Sequence, residues 1–276
     1  MKILRVFPRK TNATPTDEDV RIGMPGLFDE ADEIHISVAF TYDLKYSELL
    51  VKNWSNIAPV KVGGPAFEEK EGEFTPGMYL KKGMIITSRG CPNKCWFCNV
   101  WKRNGEITEL KITDGHNVMD DNILACSDQH IKSVFEMLKI QNKRPVFTGG
   151  LEAKILKEWH VKELKEMKPK YLYFAYDMPN DRDPLFEAGI LLKKYGFKNQ
   201  LMCYNLIGYP KDTFEKAEKR LTDTMTAGFQ PFAMLYRDKE GGVIKSWQRF
   251  QREWANPIIT GFKKRNHLCE TIPPSS

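Results

Sequence analysis

A run of Cys91-Pro92-Asn93-Lys94-Cys95-Trp96-Phe97-Cys98 constrains this chain more than any other stretch, because three thiols within eight residues cannot all pair with one another. Neighbouring thiols of this kind suit a metal better than a framework of disulfides. The run follows Met84-Ile85-Ile86-Thr87-Ser88, an apolar segment that reads as a short strand, and is reached through Arg89 and Gly90. Three thiolates on one loop can ligate three irons of a cubane cluster and leave the fourth iron open to a ligand. Two other readings of Cys91, Cys95 and Cys98 stay open: a zinc site completed by a distant Cys or His, and three ordinary core cysteines. Zinc ribbons usually pair two Cys-x-x-Cys units, and no second unit is present, since Cys126, Cys203 and Cys269 stand singly and read as small core residues. His35, His116, His130, His160 and His267 form no spaced set, so the histidines suggest no mononuclear metal site.

From Gly83 onward, short β-branched or aromatic runs alternate with longer amphipathic ones, the pattern of successive parallel βα units. Six strands are predicted, at 84–88, 116–119, 145–148, 171–176, 201–207 and 231–236. Helices are predicted from a cap at Asp128 to Ile140, over 155–167 and 184–195, and over 213–227, where Gly228 supplies a stop. A shortened crossover at 99–103 would complete the first unit. Six such units predict an α/β fold of the incomplete (β/α)6 type, an open TIM-like barrel with ligands at the carboxyl ends of its strands.

Residues 1–66 differ, with strand-like runs at 3–7, 33–40 and 59–62 and a helix over 44–54, and are expected to form a small α/β layer. Residues 67–82, rich in charge and glycine, read as a linker, 83–240 as the barrel and 241–276 as a helical extension. With 42 Lys and Arg against 36 Asp and Glu, the net charge of +6 is scattered rather than gathered, which is weak support for a nucleic-acid partner. No stretch approaches the roughly 20 apolar residues of a membrane span. The opening apolar run is stopped at Pro8, too early for a signal peptide, so a cytoplasmic protein without membrane contact is expected.

The cysteine spacing after a first strand, followed by five further strand-helix units, resembles the radical S-adenosylmethionine superfamily over about two thirds of the chain. That resemblance implies a 4Fe-4S cluster on Cys91, Cys95 and Cys98, with S-adenosylmethionine chelating the open iron through its amino and carboxylate groups. It also implies reductive cleavage to methionine and a 5'-deoxyadenosyl radical, a low-potential donor of the flavodoxin or ferredoxin type, and hydrogen abstraction from an unidentified substrate. No catalytic residue of the chain itself is assigned.

Several positions match the superfamily's cofactor-binding pattern. Phe97, the aromatic before the last cysteine, would lie beside the adenine. Asp120-Asp121-Asn122 follows the second strand, where polar groups hold the cofactor's amino group; a solvated turn is the competing reading. Gly149-Gly150-Leu151-Glu152 resembles the family's Gly-Gly-Glu but carries an inserted Leu151 and comes one strand later than usual, so either Asp120 and Asp121 or Glu152 takes the amino group. Tyr176 and Asp177 would meet the ribose or carboxylate, or cap a helix. Ile207-Gly208-Tyr209-Pro210 resembles the turn that lies against the adenine, and Tyr236 would add a backbone contact or simply pack.

Val60-Lys61-Val62-Gly63-Gly64-Pro65 resembles a strand-to-loop turn of the cobalamin-binding domain that precedes the barrel in many superfamily members. The cobalt-ligating Asp-x-His-x-x-Gly is missing from this sequence, so a remnant of that layer is expected and cobalamin is not. Trp247, Phe250 and Trp254 share one helical face and are read as packing; stacked bases, with Lys263, Lys264 and Arg265 on phosphates, are the alternative. Nucleic acid therefore stays open as a substrate. A structural zinc or iron-sulfur module that binds nucleic acid without catalysis is the rival function.

Overall fold

The first strand, β1 (Ile3–Phe7), is covered on both faces, which is why its Leu4, Arg5, Val6 and Phe7 are all buried. The structure is a computed structural model that describes residues 1–69, 73–238, 240–255, 259–261 and 263. It is an α/β protein with parallel sheets. The chain divides into two compact units, residues 1–121 with 238–241, and residues 122–237 with the described residues from 242 onward.

In the first unit, β2 (Val20–Ile22), β3 (Glu33–Ser37), α1 (Leu44–Trp54) and β4 (Val60–Gly63) follow β1. The four strands form a parallel sheet in the order β2-β1-β3-β4. Leu4, Val6, Ile34 and Ile36 of the sheet pack with Leu50 and Trp54 of α1 in a buried cluster. Burying a side chain of this size contributes about 1.5–3 kcal/mol. The Trp54 indole satisfies its donor on the Gly23 carbonyl at 3.0 Å. β2 is absent from the sequence reading because three residues are too short to show a period of two. The strand expected over 33–40 stops at Ser37, and Thr41–Asp43 forms a 3-10 turn into α1.

The described residues of the expected linker, 67–69 and 73–82, are packed onto the unit. Phe67 packs against the same cluster, Arg5 donates to the Gly77 and Met78 carbonyls at 3.1 and 2.9 Å, and the Lys81 amide donates to Ala13 at 2.8 Å. The compact unit therefore continues through this segment to Asp121, well beyond the boundary expected at 66.

The strand expected at 84–88 is broken into β5 (Met84–Ile85) and β6 (Ser88–Arg89). The Thr87 amide spends its hydrogen bond on the Asp120 carboxylate rather than on a ladder partner, which interrupts the strand. After α2 (Val100–Arg103), β7 (Thr108–Glu109) pairs antiparallel with β6, and β8 (Asn117–Val118) pairs parallel with β5.

The second unit contains α3 (Asp128–Lys139), β9 (Val146–Phe147), α4 (Glu158–Met167), β10 (Tyr171–Ala175), α5 (Arg182–Lys194), β11 (Leu201–Ile207), α6 (Phe214–Thr226), β12 (Gln230–Leu235) and α7 (Lys245–Ala255). β9, β10, β11 and β12 are neighbours in that order, parallel where their register is defined. Strict alternation along β11 buries Leu201, Cys203, Asn205 and Ile207, and leaves Met202, Tyr204 and Leu206 half-covered. The expected cap at Asp128 is corrected to Ser127, whose hydroxyl accepts from the His130 amide at 3.2 Å, since an N-cap must reach the amide two or three residues on. The helix expected from 155 begins at Glu158, because residues 153–155 form a separate 3-10 turn and the His160 ring accepts the Lys157 amide at 3.0 Å.

Trp247 and Trp254 of α7 are buried with Ile207, Leu221 and Met225, and Phe250 packs beside them. Packing is thus what these rings do, and they are not free to stack bases. Lys264, Arg265, His267 and Cys269 lie outside the described residues, as does part of the extension expected over 241–276. Among the described residues, no helix is long and apolar enough to cross a membrane.

Gly189 of α5 marks the tightest approach in the second unit, since a Cβ there would stand 2.0 Å from the Ala227 carbonyl oxygen. Gly189→Ala is expected to destabilise the protein by about 1–3 kcal/mol through overpacking, despite the better helix propensity of alanine. Urea unfolding checks this, and an unchanged or raised midpoint would contradict it.

Candidate functional site

In the first unit the cysteine motif begins where β6 ends. Gly90 takes φ of +89°, and a Cβ there would lie 2.2 Å from the Glu106 carbonyl oxygen, so only glycine admits the turn into Cys91. The Cys91 amide donates to the Gly105 carbonyl at 3.1 Å, the Cys98 amide to the Cys95 carbonyl at 3.1 Å, and the Trp101 indole to the same Cys95 carbonyl at 3.0 Å. The loop is therefore held mainly through its backbone, with its three thiols half-buried and outside any disulfide.

The Cys98 sulfur accepts the Val100 amide at 3.5 Å. Burial pushes the Cys98 thiol up, and the Val100 amide acts against that shift. The Cys91 thiol and the Asp121 carboxylate add to that shift and the Arg103 guanidinium opposes it; a bound metal would favour the thiolate further. Among the described residues, no three His, Cys, Asp or Glu side chains are gathered to grip a single ion. In a cubane each cysteine ligates a different iron, so its three sulfurs do not share one point. The soft donors and the amide on sulfur fit such a group.

The Asp120 and Asp121 carboxylates do something the sequence reading does not anticipate. Asp120 is 1% exposed and accepts from the Thr87 amide at 2.6 Å, the Thr87 hydroxyl at 2.6 Å and the Ser88 hydroxyl at 2.7 Å. Burial pushes its carboxyl up, against those hydrogen bonds. Asp121 accepts from the Gly90 amide at 2.8 Å and from the Asn104 side chain at 3.2 Å. The expected ligand-facing role of Asp120 is corrected to a positioning one, because its oxygens are already turned inward on the segment leading to Cys91. The missed partners Thr87, Ser88 and Asn104 carry only a faint signal in sequence, as polar residues flanking the cysteine motif. Phe97 is half-buried, with Trp96 edge-on at 5.4 Å.

In the second unit, Asn122 and Glu152, from two motifs that are alternatives in the sequence reading, are joined: the Asn122 amide donates to the Glu152 carboxylate at 2.6 Å. Glu152 stays half-exposed. The inserted Leu151 is buried and its amide donates to the Tyr173 carbonyl at 2.7 Å, so the extra residue is absorbed by the core. Gly149 is exposed, and Gly150 turns at φ of +100° with room around it.

Tyr176 is turned into the core. It is buried, and its hydroxyl donates to the Asp223 carboxylate of α6 at 3.3 Å, which corrects its expected cofactor contact. Strand alternation is the reason, since Leu172, Phe174 and Tyr176 share the helix-covered face. Asp177 turns the other way and accepts the Leu206 amide at 2.6 Å. Burial pushes its carboxyl up to about 6, with the Asp181 carboxylate adding and the Leu206 amide and Arg220 opposing.

The turn after β11 is built as expected of a tight strand-end loop. Gly208 has φ of +72°, and its amide donates to Asp212 at 2.9 Å. Arg220 ties Asp212 at 2.8 Å and the Leu206 carbonyl at 2.9 Å, and lies over the Tyr209 ring at 5.2 Å. Pro210 is exposed, and the Tyr236 amide donates to the Ile207 carbonyl at 2.9 Å. Cys126 and Cys203 are buried core residues, and burial pushes the Cys203 thiol well up.

Neither a family model nor a curated protein matches this chain.

Because the folded Asp177 carboxyl titrates above its ordinary value of 3.8, the native state keeps a proton between 3.8 and about 6 that the unfolded chain has released. The stability this group contributes is present below that window and is lost as pH rises through it. Urea unfolding of the native protein from pH 4 to pH 7 should therefore show a downward slope relative to Asp177→Asn. Parallel profiles would refute this account.

Proposed function

We propose that this chain is a radical S-adenosylmethionine enzyme in which Cys91, Cys95 and Cys98 hold a 4Fe-4S cluster. The observation that carries the reading is the cysteine loop itself: three thiols outside any disulfide on one backbone-pinned turn, with an amide on the Cys98 sulfur and Asp121 on the Gly90 amide. When bound, such a cluster supplies the electron that cleaves S-adenosylmethionine to methionine and a 5'-deoxyadenosyl radical, which takes a hydrogen atom from substrate.

Each of the chain's own groups then has a task. Asp120 and Asp121 hold the segment before Cys91, so that the sulfurs keep their spacing without a search at each turnover. Glu152 is the carboxylate left facing outward, oriented by Asn122, and we assign it to the cofactor's amino group in preference to Asp120 and Asp121. Phe97 supplies an apolar ring for the adenine. The resemblance gives the turn Ile207-Gly208-Tyr209-Pro210, stiffened by Asp212 and Arg220, backbone contacts to adenine, and gives Asp177 an acceptor role toward the ribose. In this reading the successive parallel βα units belong to an incomplete (β/α)6 barrel, and the electron comes from a flavodoxin- or ferredoxin-type donor.

Anaerobic reconstitution with iron and sulfide is expected to give a brown protein that releases 5'-deoxyadenosine when supplied with dithionite and S-adenosylmethionine. Replacing Cys91, Cys95 and Cys98 together by alanine should abolish both colour and product. A colourless zinc protein that still binds nucleic acid would favour a structural module instead. Glu152→Gln should retain the cluster absorbance and weaken S-adenosylmethionine binding about tenfold, the order expected when a charged hydrogen bond to a cation is removed. Unchanged affinity would return the amino group to another residue.

A further inference from the structure

The first unit contains a cavity of about 530 Å3 that the functional reading above does not use. It lies at the carboxyl ends of β1, β3 and β4, where Phe7 and Arg9, Ser37 and Phe40, and Gly63 and Gly64 reach its wall. The sheet order β2-β1-β3-β4 means that the chain winds outward in both directions from β1, so the topological switch lies between β1 and β3. In open parallel sheets, ligands bind in the crevice at that point.

The lining states what kind of ligand fits. Phe40, Phe67, Phe74, Met78 and Ile86 make the wall largely apolar. Phe40 is backed by Tyr42 in a parallel stack at 5.1 Å and still leaves 37% of its surface open, which makes it a stiff flat platform. Charges on the wall balance: Arg9, Lys61 and Arg89 against Asp43, Glu69 and Glu73. Arg9 is committed to Asp43 at 2.7 Å, and Lys61 to Glu33 at 2.6 Å. An anion would find little uncompensated positive charge here. Uncharged hydrogen-bonding groups on the wall are the Ser37 hydroxyl and the Tyr79 hydroxyl, the latter joined to the His35 ring at 2.6 Å. Two glycines lie on the wall. A Cβ on Gly64 would strike the Val38 carbonyl oxygen at 2.7 Å, so the loop can pack close only with glycine, whereas a Cβ on Gly63 would meet nothing within 4 Å.

We infer that this cavity binds an uncharged, planar heteroaromatic molecule, and that this molecule is the substrate. Its volume lies within the 300–1,000 Å3 range of small-molecule sites. Ile86 and Arg89 of its wall belong to the segment that runs into Cys91, which puts the ligand in the same unit as the cysteine loop. The word substrate rests on the radical-enzyme reading; the binding does not.

Isothermal titration of the full chain with indole and hypoxanthine, and with their anionic counterparts indole-3-acetate and inosine monophosphate, tests the inference. At least one uncharged probe is expected to bind with a Kd of roughly 1 mM or below, as fragments of this size do, and its anionic counterpart at least tenfold more weakly. Gly63→Phe should fill the cavity and weaken binding at least tenfold with an unaltered circular dichroism spectrum. Should that variant fail to fold, Phe40→Ala, which removes an exposed ring, should weaken binding in the same sense. No binding by the uncharged probes, a preference for the anions, or affinity unmoved by the variant that folds would overturn it. The triple alanine variant of Cys91, Cys95 and Cys98 should bind the probe normally. Binding without any release of 5'-deoxyadenosine by the native protein would sink the enzyme reading alone, and release without binding would sink the cavity alone.

Discussion

The buried Asp120 carboxylate is the constraint on which the rest of the first unit's chemistry depends. Removing a carboxylate from water is costly unless its lone pairs are satisfied, and the amides and hydroxyls of Thr87 and Ser88 meet that need. Those bonds take an amide out of the sheet ladder, split one expected strand into β5 and β6, and so set the direction in which the chain enters Gly90. Asp121, next in sequence, then holds the Gly90 amide itself. Two adjacent carboxylates thereby fix the entry to a loop whose cysteines the proposed cluster requires in register. Neither is free to serve a ligand while it does so.

The second unit reaches its order by strand alternation together with a buried Arg220–Asp212 pair. Each strand places one set of side chains beneath the helices and the other on the open face, so Tyr176 goes to Asp223 while Asp177 goes to the Leu206 amide. The Leu151 insertion illustrates the same logic. A residue added between Gly150 and Glu152 would shift every later side chain, but Leu151 is taken into the core and Glu152 remains at the surface beside Asn122. A departure from a familiar motif is here a change of packing that leaves the carboxylate accessible.

The N-terminal layer is more than an appendage. Arg5 reaches from β1 to the carbonyls of Gly77 and Met78, and the Lys81 amide binds Ala13, so a stretch rich in charge and glycine is folded onto the sheet. Composition misleads at this point because backbone carbonyls, which every sequence carries, are what Arg5 recognises. The same packing encloses the cavity inferred to bind an aromatic ligand.

Much of this was legible from residues alone. The amphipathic period of α3, α4, α5 and α6, the strands that alternate with them and the burial of Trp247 and Trp254 all follow from local pattern, because helix and strand periods place apolar side chains on one face whatever lies opposite. What the tertiary structure alone decided was the direction of the polar groups. Sequence offered Asp120, Asp121, Glu152, Tyr176 and Asp177 as equals at strand ends. Which of them is buried and which faces outward depends on donors tens of residues away, and a hydrogen bond between Thr87 and Asp120 leaves no trace in the order of residues between them.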